Sequence, residues 1–327
     1  MNISTNEIRD TPTNEIRDTS TEIPTSFTLL FIRHGISCAN LRKETMKMSM
    51  WSRIADHTRI LDPGLTKGGI IKATKRGEML RQAIRELNTH TPLVCASTLV
   101  RAQQTALLMM DPLITPDNQL HILPYMSEVG LFKTRDNTPR PLPAQLAFLQ
   151  RQHPDMADIQ DRLDTSSVER VTDANIPNLV KFKEFLGVFL RANAVATVVL
   201  FTHGNFIAKL LKSLGHPIEK SDRPNYVAYK IRGEFTDDSS NLTLSLDSSP
   251  EFTYALNDLN SQTSNAYRFK YLSSRTLKAD IECRLEDEHQ ACEVDVCTPS
   301  VRMSGGGRSR RRLAATRTRR TTRRAAH

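Results

Sequence analysis

Two imidazoles, two guanidinium groups and a carboxylate give this sequence a set of side chains suited to chemistry on phosphorus: Arg33, His34, Arg101, Glu128 and His203. A neutral imidazole at His34 could attack phosphorus in line and form a covalent phosphohistidine. Arg33, Arg101 and a protonated His203 would surround the equatorial oxygens, where charge stabilisation carries most of the catalysis. Glu128 is the candidate to protonate the leaving oxygen and then to deprotonate water. The neighbouring cations would keep a proton off His34, which favours a nucleophile over a base.

Short apolar runs precede these side chains, and each run is predicted as a strand. The four runs are residues 27–32, 92–96, 119–123 and 194–201. In a parallel sheet the carboxyl ends of all four strands lie at one edge, which is where open α/β sheets bind ligands. A later run, residues 225–231, is a fifth predicted strand.

Helical spacing of apolar residues alternates with these runs, at residues 66–87, 99–110, 179–190 and 206–214. This alternation predicts an α/β fold with a mainly parallel central sheet and helices on both faces. Arg101 lies in the first turn of its helix, where a cation opposes the helix dipole unless an anion is nearby. The free amides after His203, including that of Gly204, would add an anion site at a second helix start.

Five blocks of sequence resemble, in this order, the phosphoglycerate-mutase-like branch of the histidine phosphatase superfamily. The blocks are Arg33 to Asn40, Asp62 to Gly69, Ala96 to Ala106, Ser127-Glu128 and Thr202 to Asn205. The resemblance covers about residues 26–235 and implies a phosphoglycerate-mutase-like three-layer sandwich. It also implies an enzyme that needs no metal ion or cofactor.

The resemblance assigns roles to single residues. His34 is implied to be the phosphorylated nucleophile and Glu128 the acid. The implied binding set for the phosphorylated substrate is Arg33, Asn40, Arg101, His203 and Gly204. Which phosphorylated compound is the substrate stays open, because sugar phosphates, nucleotides, phosphoproteins and phospholipid headgroups would all fit this chemistry.

Departures from the family pattern favour phosphatase over mutase activity. Ile36 stands where mutase-type members usually have Glu, and the stretch from His34 to Leu65 is longer than theirs. Residues 129–133 lack the Tyr-containing signature that mutases place after the acid. The alternatives are mutase-type phosphoryl transfer and a non-catalytic protein that binds phosphorylated ligands or nucleic acid.

Composition divides the chain into three predicted regions. Residues 1–25 contain a tandem octapeptide too polar to form a core and are expected to be disordered. Residues 26–272 are the predicted phosphatase domain, with a helical insertion at about 131–193. Residues 273–327 form a predicted flexible extension.

Ten arginines without a carboxylate in residues 301–327 account for the net charge of +9, which leaves residues 1–300 at −1. Such a tail could bind nucleic acid nonspecifically through its phosphates.

Targeting features indicate a cytoplasmic protein, with the Arg clusters as a nuclear-targeting alternative. The N-terminal residues lack an apolar signal segment, and no apolar run approaches the roughly 20 residues of a membrane span. The odd number of cysteines, five, fits a reducing compartment better than a disulfide framework. The spacing among Cys283, His289, Cys292 and Cys297 is not typical of zinc ligands. The oligomeric state cannot be predicted from these features.

Overall fold

The computed structural model describes residues 24–40, 61–87, 91–129, 134–156, 158–218, 225–236 and 242–247. The N-terminal repeat, the cysteines after residue 280 and the Arg-rich tail lie outside these ranges. Predictions about those segments, including nucleic-acid binding by the tail, therefore stay predictions.

A seven-stranded sheet forms the centre of the described part of the chain, in the order β4-β3-β2-β5-β1-β6-β7. The strands are β1 Ser26–Arg33, β2 Leu93–Ser97, β3 Leu120–Leu123, β4 Leu163–Asp164, β5 Thr197–Thr202, β6 Ala228–Phe235 and β7 Leu242–Leu246. Strands β1 to β5 pair parallel with one another, whereas β6 pairs antiparallel with β1 and β7 pairs antiparallel with β6. The predicted mainly parallel sheet is confirmed.

Helices cover both faces of this sheet. They are α1 Lys67–Leu87, α2 Val100–Met110, α3 Leu142–Gln152, α4 Ser166–Glu169, α5 Leu179–Asn193 and α6 Gly204–Ser213, with 3₁₀ turns at Arg135–Asn137 and Ile159–Arg162. Because side chains alternate along a strand, Leu30 and Ile32 pack in one core with α1 and α2, while Leu29 and Phe31 pack in the other with α5 and α6. The burial of every apolar side chain in β1 follows from this two-sided covering.

Two features of the fold differ from the sequence prediction. Ala194 is the left-handed C-cap of α5, with φ 47°, so β5 begins at Thr197 rather than at residue 194. The segment from 131 to 193 also does more than add surface helices. It contributes β4 to the sheet and α5 to the layer that covers one face.

Two cysteines lie in the described ranges: Cys95 is a free, buried thiol, and Cys38 is disulfide-bonded. The reducing compartment stays a prediction. Within the described ranges, no helix has the length and apolar character needed to cross a membrane.

Close packing of α1 against α2 gives a test of the fold. A Cβ atom at Gly77 would lie 2.6 Å from the Met109 carbonyl oxygen and 2.9 Å from the Met109 Cα. Gly→Ala usually stabilises a helix interior, but here the two backbones would have to separate. We therefore expect Gly77→Ala to lower the free energy of unfolding by about 1–3 kcal/mol in urea titrations.

Lys75→Ala is the control, because Lys75 is exposed on the same helix. It should change the free energy of unfolding by no more than about 0.5 kcal/mol. A Gly77→Ala protein as stable as the parent would contradict the close approach of the two helices.

Candidate active site

The carboxyl ends of two adjacent parallel strands bring the two histidines together. His34 follows β1 and His203 follows β5, and these strands pair in register through Arg33 and Thr202. The backbone amide of His34 donates to the Thr202 carbonyl at 2.9 Å. The two imidazole centroids are 5.0 Å apart, and the residues are 1% and 0% exposed. The predicted meeting of both histidines at one sheet edge is confirmed.

The ring of His34 has a defined tautomer. Its Nδ1 lies 2.6 Å from the Gly35 carbonyl oxygen, which can only accept, so Nδ1 carries the proton. Asn225 Nδ2 donates to the carbonyls of His34 and Gly35 at 2.7 and 3.1 Å, and Thr105 Oγ1 accepts from the Gly35 amide at 2.9 Å. Gly35 is required here, because a Cβ would lie 2.5 Å from the Tyr226 hydroxyl. Because Nδ1 carries the proton, Nε2 of the neutral ring keeps its lone pair.

Arg101 contacts that nitrogen directly. Its Nε donates to His34 Nε2 at 3.2 Å. Its two terminal nitrogens are held by the Asp136 carbonyl at 2.7 Å and by Asn137 Oδ1 at 2.9 Å. Because a guanidinium can only donate, the accepting Nε2 must be unprotonated. The contact therefore agrees with a neutral imidazole at His34.

His203 is held differently. Its Nε2 lies 2.6 Å from Ser97 Oγ, and its Nδ1 lies 3.9 Å from Glu128 Oε2. Burial, followed by the nearby Arg101 and His34, holds the pKa of His203 well below its usual range. The structure thus favours a neutral imidazole, which differs from the protonated His203 expected from the sequence. An anion placed near Nδ1 would favour the protonated form.

Glu128 lies beside His203 and at the start of α6. Its Oε1 accepts from the Asn205 amide at 3.3 Å, and Asn205 Nδ2 donates to the Val129 carbonyl at 2.9 Å. A carboxylate at a helix N-terminus is stabilised by the helix dipole. Gly204 is the first residue of α6, and a Cβ there would lie 3.1 Å from Arg33 Nε. The side chain of Arg33 therefore packs against this helix start.

Asn40 has a local role in the structure. The Ser37 hydroxyl donates to Asn40 Oδ1 at 3.0 Å and accepts from the Asn40 amide at 3.3 Å. This reciprocal pair is typical of a helix N-terminus. A contact between Asn40 and substrate stays a prediction.

Several groups that support the site were not predicted as functional. They are Asp62, Ser97, Asp136, Asn137 and Asn225. Arg101 lies in the first turn of a helix, which is unfavourable for a cation unless an anion is nearby. Asp62 is such an anion, because its Oδ1 accepts from the amide of Val100 at 3.0 Å. Ser97 ends β2, so its position also carried a signal. Asn225 fell at the start of a predicted strand, residues 225–231, whereas the observed strand begins at Ala228. No pattern marked the 3₁₀ turn.

A metal ion is an alternative occupant of this site. His34, Glu128 and His203 each offer a ligand atom, and these atoms lie within 4.8 Å of one another. However, Arg101 already contacts His34 Nε2, and Arg33 and Arg101 both act on the pKa of His203 as nearby charges. Two guanidinium groups make the site favourable for an anion and unfavourable for a cation.

Comparisons with known proteins found related solved structures. No family model and no curated protein matches the sequence. Alpha-ribazole phosphatase from Shigella flexneri is 16% identical at a TM-score of 0.35, over 67% of this chain and 95% of that one. A phosphoserine phosphatase variant from Entamoeba histolytica in complex with phosphoserine is 18% identical at 0.36, over 68% and 97%. Phosphoglycerate mutase from Bacillus anthracis is 14% identical at 0.35, over 74% and 98%.

These matches are members of the histidine phosphatase superfamily, the family that the sequence blocks resemble. Their TM-scores are below 0.5 and their identities below 25%. The chemistry of this site is therefore inferred from its own geometry.

The low pKa of His203 can be tested by nuclear magnetic resonance of imidazole ¹⁵N nuclei. Since burial and neighbouring positive charge disfavour the protonated form, the pKa of His203 should lie below that of the exposed His216 in the same spectra. Added inorganic phosphate should raise the pKa of His203, because an anion near Nδ1 stabilises the imidazolium. A His203→Gln variant identifies the signals. A His203 that titrates at or above the pH of His216 without phosphate would contradict the electrostatics described above.

Proposed function

We propose that this chain hydrolyses phosphomonoesters through a phosphohistidine formed on His34, without a metal ion. The orientation of the His34 ring is the observation that carries the proposal. The hydrogen bond from Nδ1 to the Gly35 carbonyl directs the Nε2 lone pair to the side where Arg101 and His203 lie. A fixed neutral imidazole beside the buried Arg101 and the half-buried Arg33 has the properties of a nucleophile toward an anionic phosphate ester.

In the first step, His34 Nε2 forms a bond to phosphorus and the bond from phosphorus to the ester oxygen breaks. The Arg101 Nε–H, which donates to Nε2 at 3.2 Å, would shift to a phosphoryl oxygen as the substrate enters. Nδ1 of His34 keeps its proton and its bond to Gly35, so the positive charge that develops on the ring is stabilised by a carbonyl dipole. Glu128, when protonated, gives its proton to the leaving oxygen.

In the second step, water attacks the phosphohistidine. Glu128, now a carboxylate, takes a proton from that water as the bond between nitrogen and phosphorus breaks. Inorganic phosphate leaves and His34 returns to the neutral tautomer. The position of Glu128 beside His203 and the start of α6 supports this role, because it lies at the edge of the cationic site.

Hydrolysis is favoured over mutase-type transfer by the environment of Ile36. This side chain is 8% exposed and apolar, and its carbonyl accepts from the Thr66 amide. It supplies no charged group at the position where mutases usually have Glu. The natural substrate stays open within the class of phosphomonoesters, and the Arg-rich tail stays a predicted site for nonspecific polyanion binding.

Covalent catalysis gives the first test of this proposal. Acid-labile phosphate should be trapped on His34 in quenched reactions with an aryl phosphate and no added bisphosphate. His34→Ala should lose both the label and turnover, whereas His216→Ala, a change at an exposed histidine, should keep both. EDTA should leave the rate unchanged, because the imidazole takes the place of a metal-bound hydroxide. Near-normal turnover by His34→Ala, or inhibition by EDTA that zinc reverses, would overturn the mechanism.

The acid role of Glu128 gives a second test. Glu128→Gln should slow alkyl phosphates by about 10²- to 10⁴-fold, and aryl phosphates much less, because a phenolate leaves with little protonic help. The measurement is kcat/KM for a series of leaving groups of different pKa. Glu78→Gln, at an exposed position of α1, is the matched control and should behave as the parent. Equal losses for aryl and alkyl substrates would remove Glu128 from the acid role.

A further inference from the structure

Asp62 is a buried carboxylate that lies behind the phosphate site and contacts two separate parts of the chain. It is 0% exposed. Its Oδ1 accepts from the amide of Val100, the first residue of α2, at 3.0 Å, and its Oδ2 accepts from the Arg140 amide at 3.1 Å. Both oxygens are thus acceptors from backbone groups, a pattern that only the ionised carboxylate satisfies fully.

The backbone of Asp62 adds two contacts with the same segment, residues 135–140. Its amide donates to the Arg135 carbonyl at 3.2 Å, and its carbonyl accepts from Arg140 Nε at 3.4 Å. Asp62 has φ 43°, a left-handed conformation that Asp tolerates better than most residues. The segment is therefore fastened to Asp62 at both of its ends.

Arg101 depends on both parts that Asp62 joins. Its backbone directly follows Val100 at the start of α2. Its terminal nitrogens are held by Asp136 and Asn137, which lie within the 135–140 segment. A change in the position of either part would move the guanidinium relative to His34 Nε2, which is 3.2 Å from Arg101 Nε.

We propose that Asp62 is a positioning residue, whose carboxylate joins the start of α2 to the 135–140 segment and so fixes Arg101 against the nucleophile. This inference rests on the proposed function of Arg101 and His34. Asp62 does not touch the reacting atoms, so its effect on turnover passes through Arg101.

Electrostatics around Asp62 makes this role dependent on pH. The charged groups that face it are Arg101 from α2 and Arg140 from the 135–140 segment. Burial raises the pKa of Asp62 to about 6, although the hydrogen bonds from Arg140 and Val100 and both arginine charges lower it. Below that pH one oxygen carries a proton and becomes a donor, so it can no longer accept from its backbone partner.

The effect on folding has the opposite sign. Since the folded pKa of about 6 exceeds the ordinary aspartate value of 3.8, the folded state binds more protons between these two pH values. Stability contributed by this group is present at low pH and is lost as the pH rises through about 6. The ionised form that the site needs therefore costs stability at neutral pH.

The test compares Asp62→Asn with the parent over a range of pH. The parent-to-variant ratio of kcat/KM should be about 10- to 100-fold near pH 8, the loss expected when a catalytic group is displaced by about 1 Å. It should fall toward one below about pH 5, where the parent has also lost the carboxylate. Ionisation of the substrate cancels in the ratio. A ratio that does not change with pH, or stays near one throughout, would overturn the proposal.

Asp164→Asn is the matched control. Asp164 also binds a backbone amide, that of Ser166 at 3.0 Å, and pairs with His121 at 2.8 Å, but it lies in β4 at the sheet edge. The parent-to-variant ratio of kcat/KM for Asp164→Asn should stay near one at every pH. Thermal unfolding of both variants separates a loss of folding from a loss of positioning.

A second variant keeps the carboxylate and both of its backbone donors but removes one nearby charge. Arg140→Gln deletes one of the two arginine charges that lower the pKa of Asp62, while the amides of Val100 and residue 140 still donate to the carboxylate. The acid limb of the pH profile should move to higher pH, because the ionised form loses a favourable charge. An unmoved limb would contradict the proposal.

Binding of inorganic phosphate, measured by titration calorimetry, gives a readout that needs no turnover. The ratio of the phosphate association constants of parent and Asp62→Asn should depend on pH in the same way as the ratio of their kcat/KM values. If the parent binds phosphate with this ratio but hydrolyses no ester, the proposed function fails while the positioning role holds. If hydrolysis proceeds through phosphohistidine and both ratios are flat, the positioning role alone fails.

Discussion

The parallel pairing of β1 with β5 is the constraint on which the site depends. It sets Arg33 opposite Thr202, so the residues that follow each strand, His34 and His203, leave the sheet side by side. Because side chains alternate along a strand, a shift of one residue would place the apolar side chains of β1 on the wrong faces. The two cores that bury this strand therefore also fix the distance between the histidines.

Electrostatic balance is the second determinant of the site. Arg101 is 4% exposed and His203 is 0% exposed, and burying charge is expensive unless a partner compensates. Asp62 and Glu128 supply negative charge near these groups, from behind α2 and from the start of α6. Burial, followed by the nearby charges of Arg101, His34 and Arg33, holds the pKa of His203 well below its usual range. Such a site is suited to take up a dianion, whose charge would complete the balance.

Sequence patterns predicted those parts of the fold that bury long apolar stretches. Strands β1, β2, β3 and β5 and helices α1, α2, α5 and α6 all coincide with predicted runs to within a few residues. The two residues of β4 are too few to show a period, and helix α3 was not marked by its spacing. The end of α5 was misplaced because Ala194 takes a left-handed conformation that alanine seldom adopts.

The residues of the candidate site also differ in whether a local sequence pattern marks them. Its charged groups could be predicted because they lie at, or within a few residues after, the carboxyl ends of strands. The groups that orient them lie far away in the chain. Asn225 is 191 residues from His34, and Asp62 is 78 residues from Arg140. Pairings of this kind depend on the folded path of the chain, which no local pattern encodes. Substitutions in these loops should thus alter the orientation of the nucleophile and of Arg101 while leaving the strands that carry the chemistry intact.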